Sequence, residues 1–514
     1  MKTMAQKNYW KLLKEDIFAN RQLVFFVLLT TALCFGFAIT NYSIGVDDVA
    51  REYYLYSNKI GNMIQQGRLL HVGFNLLTNT VDFIPYFNDF VGAALYALSA
   101  LLYCGLFQLI TDRKFSTPAL ISFACIYISS SILAEKFIYN LDVVVTILSY
   151  CCSAIALMYA YRFVKEKKLS LLCKAVPVLM VAIASYETFM FLYFCGVFAV
   201  FILEITVNRE RKTFLCILQE GIRYALVLLL AVGIYYGLVA VLQMLYPSEI
   251  EYIRYNVWKE SGLSFLGTFA QMTKTIYDHF AYCCSIGYIP IVVFTVMTFA
   301  GLPLFLFLSW KHRNPWLLLC FAALWIGNFP IHYVGGSFMA RAAQTFCFFT
   351  SFVALVLVSS VEIRKPLRSV VLAAVVLLVF VQSADMNRWF YNDHVRYKKE
   401  AFIIDTLANK VVSQMDASKP LVFTNAPITG YLNTDLYPGG QANGNSMVYW
   451  IGYAFGEKTQ PFISEVFRMH GYDFIVSPTA DQYDAAHVEA ETMPAWPAEG
   501  CIQEFDDFIV VNFG

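Results

Sequence analysis

The chain has 514 residues, of which 58% are hydrophobic and 14% charged, with a mean hydropathy of +0.56 and a formal net charge of zero. That composition is too apolar for a soluble globular protein, and the balanced charge excludes the basic footprint of a nucleic-acid binder. Most of the recurring apolar runs are long enough to cross about 30 Å of hydrocarbon, so the chain reads as a polytopic membrane protein.

The first apolar run starts near Gln22, is followed by no small-residue cleavage site, and reads as a retained span. Spans are predicted at 22–40, 89–110, 118–134, 141–161, 175–185, 188–207, 222–245, 288–309, 316–331, 345–361 and 369–385, about eleven in all. Charge supports this order. With the basic N-terminus (Lys2, Lys7, Lys11, Lys14, Arg21) in the cytoplasm, alternate loops should be basic, and they are: Arg113-Lys114, 162–174, 209–212, 311–313 and 364–368. An odd number of spans then places the C-terminal segment outside. The run 175–207 is broken only by Ser185-Tyr-Glu-Thr188. It is read as two short spans, or a re-entrant loop and a span, with an even number of crossings favoured.

Three outer segments are large enough to hold a site: 41–88, 246–287 and the tail 386–514. In the first, Val49, Tyr53, Tyr56, Ile60 and Ile64 recur at helical spacing, which predicts an amphipathic helix in the membrane interface with Asp48 as its N-cap. The tail is more polar. A helix is predicted at 398–405 and strands at 420–424, 472–477 and 508–512, with a Gly/Asn-rich loop at 438–445. That mixture predicts a small α/β domain outside a membrane domain of residues 1–385. Most of the 13 cysteines lie in apolar runs as small hydrophobes, and no zinc spacing occurs.

The carboxylates Asp47 and Asp48 stand just beyond the first span. A helix cap with an Asp47–Arg51 pair is the plain structural account. The chemical account is a general base at the mouth of the membrane, with the second carboxylate orienting it. A sugar hydroxyl is a poor nucleophile near neutral pH, and a carboxylate within reach supplies what it lacks. The outer cations Arg51, Arg68, Lys136 and Arg341 each suit a snorkelling role, but together they suit a phosphate. Glu135, Asp142 and Glu187 fall near outer span ends, and Glu187 is read as facing a protein cavity rather than lipid.

The first span followed by Ser43-Ile-Gly-Val-Asp-Asp-Val-Ala-Arg51 and then Gln66-Gly-Arg68 resembles the start of the Gtr-type (type II) bacterial O-antigen glucosyltransferases, the serotype-converting enzymes. Two departures stand out: Leu69 where Trp is usual after Gly-Arg, and Glu187 where Gln is expected. The resemblance implies an all-α GT-C membrane fold and an inverting hexosyltransferase in the bacterial inner membrane. Catalysis would rest on Asp47 and Asp48, with Arg51, Arg68, Lys136, Glu187 and Arg341 binding substrate. The donor would be undecaprenyl-phosphate glucose or a similar polyprenyl-phosphate sugar. The acceptor would be a lipid-linked glycan on the periplasmic face, modified as part of lipopolysaccharide. No cofactor and no metal are expected. The competing readings are a surface-glycan polymerase and a lipid-linked glycan transporter. Against a transporter stand the large outer tail, the interfacial acidic pair and the lack of visible repeats.

Overall fold

A computed structural model describes residues 9–56, 60–78, 84–247, 262–335, 342–361, 365–426, 446–454 and 456–514. Among the described residues, eight helices are long and apolar enough to cross a membrane: Arg21–Thr40, Pro85–Thr111, Thr117–Ile138, Asn140–Glu166, Phe189–Thr206, Phe214–Leu245, Ile289–His312 and Pro366–Gln414. Leu169–Ser185, Trp316–Ile326 and Thr345–Ser360 are shorter apolar helices. The protein is a multi-pass, all-α membrane protein with a small C-terminal strand region.

Local chemistry sets many helix ends. The side chains of Asn20, Ser116, Thr213 and Ser264 each accept a backbone N–H in the first turn of the helix that follows. The run 169–206 forms two helices, Leu169–Ser185 and Phe189–Thr206, parted at Tyr186-Glu-Thr188. The first begins earlier than residue 175, since Leu169, Leu171 and Leu172 already sustain the helix despite Lys174. At the far ends, Lys165 reaches Glu204 at 2.6 Å and Glu220 at 2.9 Å, and Lys212 reaches Glu204 at 2.9 Å. The two helices therefore form a hairpin whose ends return to one face of the bundle. Arg113, bound to Asp16 at 2.6 Å, and Lys114, bound to Asn208 at 3.0 Å, lie on that same face.

The acidic helix is Val46–Tyr56, followed by Ile60–Gln65. It starts before Asp48, so Asp48 is not the N-cap but a first-turn residue that reaches back to the Gly45 N–H at 3.0 Å. Its apolar stripe is covered by protein. Val49 is fully buried with Ile44 and Val46 against Ile403, Leu407, Phe467 and Ile509 of the C-terminal region, and Tyr53 packs edge-on to Phe462.

The helix Lys365–Gln414 runs 50 residues, about 75 Å, from the bundle into the C-terminal region and includes the predicted helix at 398–405. There β1 (Leu421–Thr424), β2 (Ile502–Glu504) and β3 (Ile509–Asn512) form a sheet in the order β1-β3-β2. β1 is parallel to β3, with Leu421 opposite Ile509; β2 is antiparallel, with Ile502 opposite Val511. Leu421, Phe423, Ile509 and Val511 face the long helix, whereas Val422 and Val510 face the helix Ala480–Ala490. Both faces of β1 and β3 are thus covered, which explains their unbroken apolar sequence. Residues 472–477 do not form the predicted strand. They run beside β1 and accept its Leu421 N–H at the Val476 carbonyl, 3.0 Å away. The Gly/Asn-rich loop 438–445 lies outside the described residues.

Candidate active site

The site is assembled where the acidic helix meets the start of the helix Asn140–Glu166. Asp48 is 1% exposed. Its Oδ2 accepts the Gly45 N–H at 3.0 Å, and its Oδ1 accepts the Leu141 N–H at 2.9 Å. Burial pushes its carboxyl up to about 7, against the pull of those two N–H groups, and the charges of Asp142 and Asp47 add to the rise. The chain packs closely here: a Cβ on Gly45 would stand 3.2 Å from the Tyr139 ring. Asp47, on the preceding position of the same helix, is only half-buried.

Asp142 organises the cations. It forms an ion pair with Arg51, a second with Arg68 at 2.9 Å, and stands 3.4 Å from His71. Arg51 is buried, whereas the Arg68 side chain keeps 18% of its surface. Burial holds His71 well below its ordinary value despite Asp142, and Arg51, Arg68 and Lys136 push the same way, so it is neutral at pH 7. Lys136 is buried, with its ammonium 3.9 Å from the centre of the Tyr186 ring; the Arg68 guanidinium lies 5.9 Å from the same ring.

The hairpin turn closes this side. Glu187 accepts the Tyr236 hydroxyl at 2.9 Å, and the Tyr235 hydroxyl donates to the Gly67 carbonyl at 2.6 Å. Gly67 has φ +74, and a Cβ there would lie 2.5 Å from the Tyr235 oxygen, so only glycine carries the chain into Arg68. Thr188 donates to Gln344 at 2.9 Å. Arg341, three residues before Gln344, lies outside the described residues.

Six of the seven predicted site residues are therefore described here: Asp47, Asp48, Arg51, Arg68, Lys136 and Glu187. Sequence reasoning placed Asp142 near a span end without giving it a role in the site, and passed over His71, Tyr186 and Asp89. Asp89 is buried beside Asn140, lies within electrostatic range of Asp48, and has an Oδ1 with no hydrogen-bond partner among the described residues. The available signal was the position of Asp89 and Asp142, each a carboxylate within the first turns of a span. Among the described residues, no three His, Cys, Asp or Glu side chains gather as a metal site.

The arrangement sets a half-buried carboxylate beside a cluster of cations gathered around Asp142 at one helix junction. No curated protein sequence matches the chain. Among solved structures it is similar to ArnT from Cupriavidus metallidurans bound to undecaprenyl phosphate, with 12% identity and a TM-score of 0.43 over 79% of this chain and 83% of that one. The family model for the glucosyl transferase GtrII matches residues 36–358, more than half of the chain and all the site residues just described, and the protein accordingly belongs to that family of membrane glycosyltransferases.

Proposed function

We propose that the protein transfers glucose from a polyprenyl-phosphate donor, such as undecaprenyl-phosphate glucose, to a hydroxyl of a lipid-linked surface glycan such as O-antigen. The reaction would take place on the periplasmic face of the bacterial inner membrane, with the N-terminus cytoplasmic and the C-terminal region periplasmic. The observation that carries this reading is the junction at Leu141 and Asp142: one backbone N–H holds Asp48, and the next side chain holds Arg51 and Arg68. One helix start thereby fixes both the turn that carries the acidic pair and the arginines assigned to the phosphate in this reading.

Asp47 is the base in this reading. A base must reach the proton it takes. Asp48 is sealed in, with each carboxylate oxygen accepting a backbone N–H, whereas Asp47 keeps exposed surface. Asp48 fixes the turn on which Asp47 stands. The acceptor oxygen attacks the anomeric carbon as its proton passes to Asp47. The bond from that carbon to the phosphate oxygen breaks, and its electron pair leaves with the polyprenyl phosphate. Attack opposite the leaving group inverts the anomeric configuration. Arg68, partly exposed, meets the phosphate with Lys136; Arg51 is buried behind it; Arg341 and Glu187 complete the substrate-binding set. The phosphate leaves with its charge held by these cations, so the step calls for neither a metal nor another cofactor.

Glycan analysis of cells with and without the protein tests the reading. Loss of one side-branch hexose at unchanged chain length is expected. Shortened chains would point to a polymerase, and loss of surface glycan altogether to a transporter.

A further inference from the structure

The helix Lys365–Gln414 carries Asp393, Arg396 and Glu400 on one face, beyond the residues matched by the family model. Arg396 is fully buried. Its Nε donates to Asp393 at 3.1 Å, its Nη1 to Glu400 at 2.5 Å and its Nη2 to the Ile44 carbonyl at 2.7 Å. Ile44 C=O and Gly45 N–H belong to one peptide unit, and that Gly45 N–H donates to Asp48. A peptide unit is planar and stiff, so fixing its oxygen fixes its N–H. Arg396 and Asp48 thus clamp the same plane from opposite edges.

Two further contacts aim at the same turn. Ser43 donates to Asp393, and His394 Nδ1 lies 3.1 Å from the Tyr42 carbonyl. The second Glu400 oxygen accepts from the Ser446 hydroxyl at 2.9 Å and the Val448 N–H at 2.8 Å. The Arg396–Glu400 pair therefore joins the acidic turn to the segment that follows the Gly/Asn-rich stretch. A buried ion pair is a poor source of stability compared with apolar packing, but it fixes geometry.

We propose that Arg396 is a positioning residue for glycosyl transfer, holding the Ile44–Gly45 peptide so that Asp47 and Asp48 are set only when the C-terminal region is docked. This rests on the reading of the acidic pair given above. Arg396→Lys keeps the charge but loses the fork that spans Glu400 and Ile44. The test compares Arg396→Lys and Arg396→Met with Val510→Ala, a β3 change that weakens the C-terminal core without touching the turn. Full-length purified protein is used throughout, with kinetics normalised to folded protein and amide exchange followed by mass spectrometry. In Arg396→Lys, kcat should fall on the order of 10²-fold while the donor KM holds, as expected for a misplaced reacting group. Exchange should rise over 41–49 but not over 60–68. Val510→Ala should change neither kcat nor the 41–49 exchange. Retention of kcat within about twofold in both Arg396 variants, or a loss no greater than that in Val510→Ala, overturns the proposal. So does unchanged exchange over 41–49. Wild-type protein that transfers no sugar defeats the glycosyl-transfer reading instead, and the exchange comparison then decides whether Arg396 clamps the turn.

Discussion

Asp47 and Asp48 are adjacent in sequence but differ in what surrounds them. Asp48 is buried, which makes its charged form costly even though two backbone N–H groups favour that form. Folded Asp48 holds its proton more tightly than the unfolded chain does. Its contribution to stability is therefore full below about pH 4 and is lost as pH rises through about 7. Asp48→Asn has no such titration. The stability of wild type minus that of the variant should fall from pH 5 to pH 8, measured by thermal unfolding; a constant difference would contradict the assigned environment. Asp47, Asp89, Asp142, Glu52 and Arg51 act electrostatically with Asp48 and remain in both proteins. Arg68 belongs to the same scale. A charge-assisted contact is worth about 1.5–3 kcal/mol, so Arg68→Ala should raise the apparent donor constant roughly tenfold or more. An unchanged donor constant would remove Arg68 from the phosphate site. These charges were legible because each interrupts or flanks an apolar run. Asp142 as their organiser was not, since Arg51, Arg68 and His71 come to it from distant parts of the chain. Nor does sequence separate Asp47 from Asp48; burial does.

Among the elements, the acidic helix shows how a correct pattern can mislead. Its apolar stripe was visible, but a stripe looks the same whether lipid or protein covers it, and here Val49 and Tyr53 pack on the C-terminal region. The strand predicted at 472–477 and not formed has the same origin: an apolar run beside a sheet edge reads like a strand even when it makes only isolated backbone bonds. The break at Ser185-Tyr-Glu-Thr188 was read from polarity alone and does separate two helices. Gly67 is the element-scale test of the Arg68 loop. Gly67→Ala puts a Cβ 2.5 Å from the Tyr235 oxygen at φ +74 and should cost about 1–2 kcal/mol, with a raised donor constant. Gly73→Ala, in the helix Leu69–Thr78 with nothing within 4 Å of its Cβ, should instead raise stability by about 0.5–1 kcal/mol. Thermal unfolding of the two variants checks both signs.

On the scale of the whole molecule, Lys114, Lys165 and Lys212 gather at one end of the helix Asn140–Glu166 with its neighbours, and the acidic pair with its cations gathers at the other. Apolar length and charge alternation made that division legible, because both follow from the cost of placing charge in hydrocarbon. The docking of the C-terminal region was not legible, since it depends on single bonds such as Arg396 to Ile44 and Arg468 to Glu52, the latter at 2.9 Å. Reporter fusions after Arg21 and after Lys212 should be active inside and one near Gly514 outside; an inside-active C-terminal reporter would contradict the orientation. The central claim is that Asp47 takes the acceptor proton while Asp48 holds its turn. It is tested most directly by transfer from purified polyprenyl-phosphate glucose to a lipid-linked acceptor, comparing wild type, Asp47→Asn and Asp48→Asn at equal folded protein. Asn is nearly isosteric with Asp, and Asn at position 48 keeps one of the two accepted N–H bonds, so turnover is compared only in protein verified as folded and inserted. Asp47→Asn should lose roughly 10²–10⁴-fold in turnover with donor binding intact, and Asp48→Asn should lose less. Near-normal turnover in Asp47→Asn would contradict the account and return the pair to a helix start with an arginine partner.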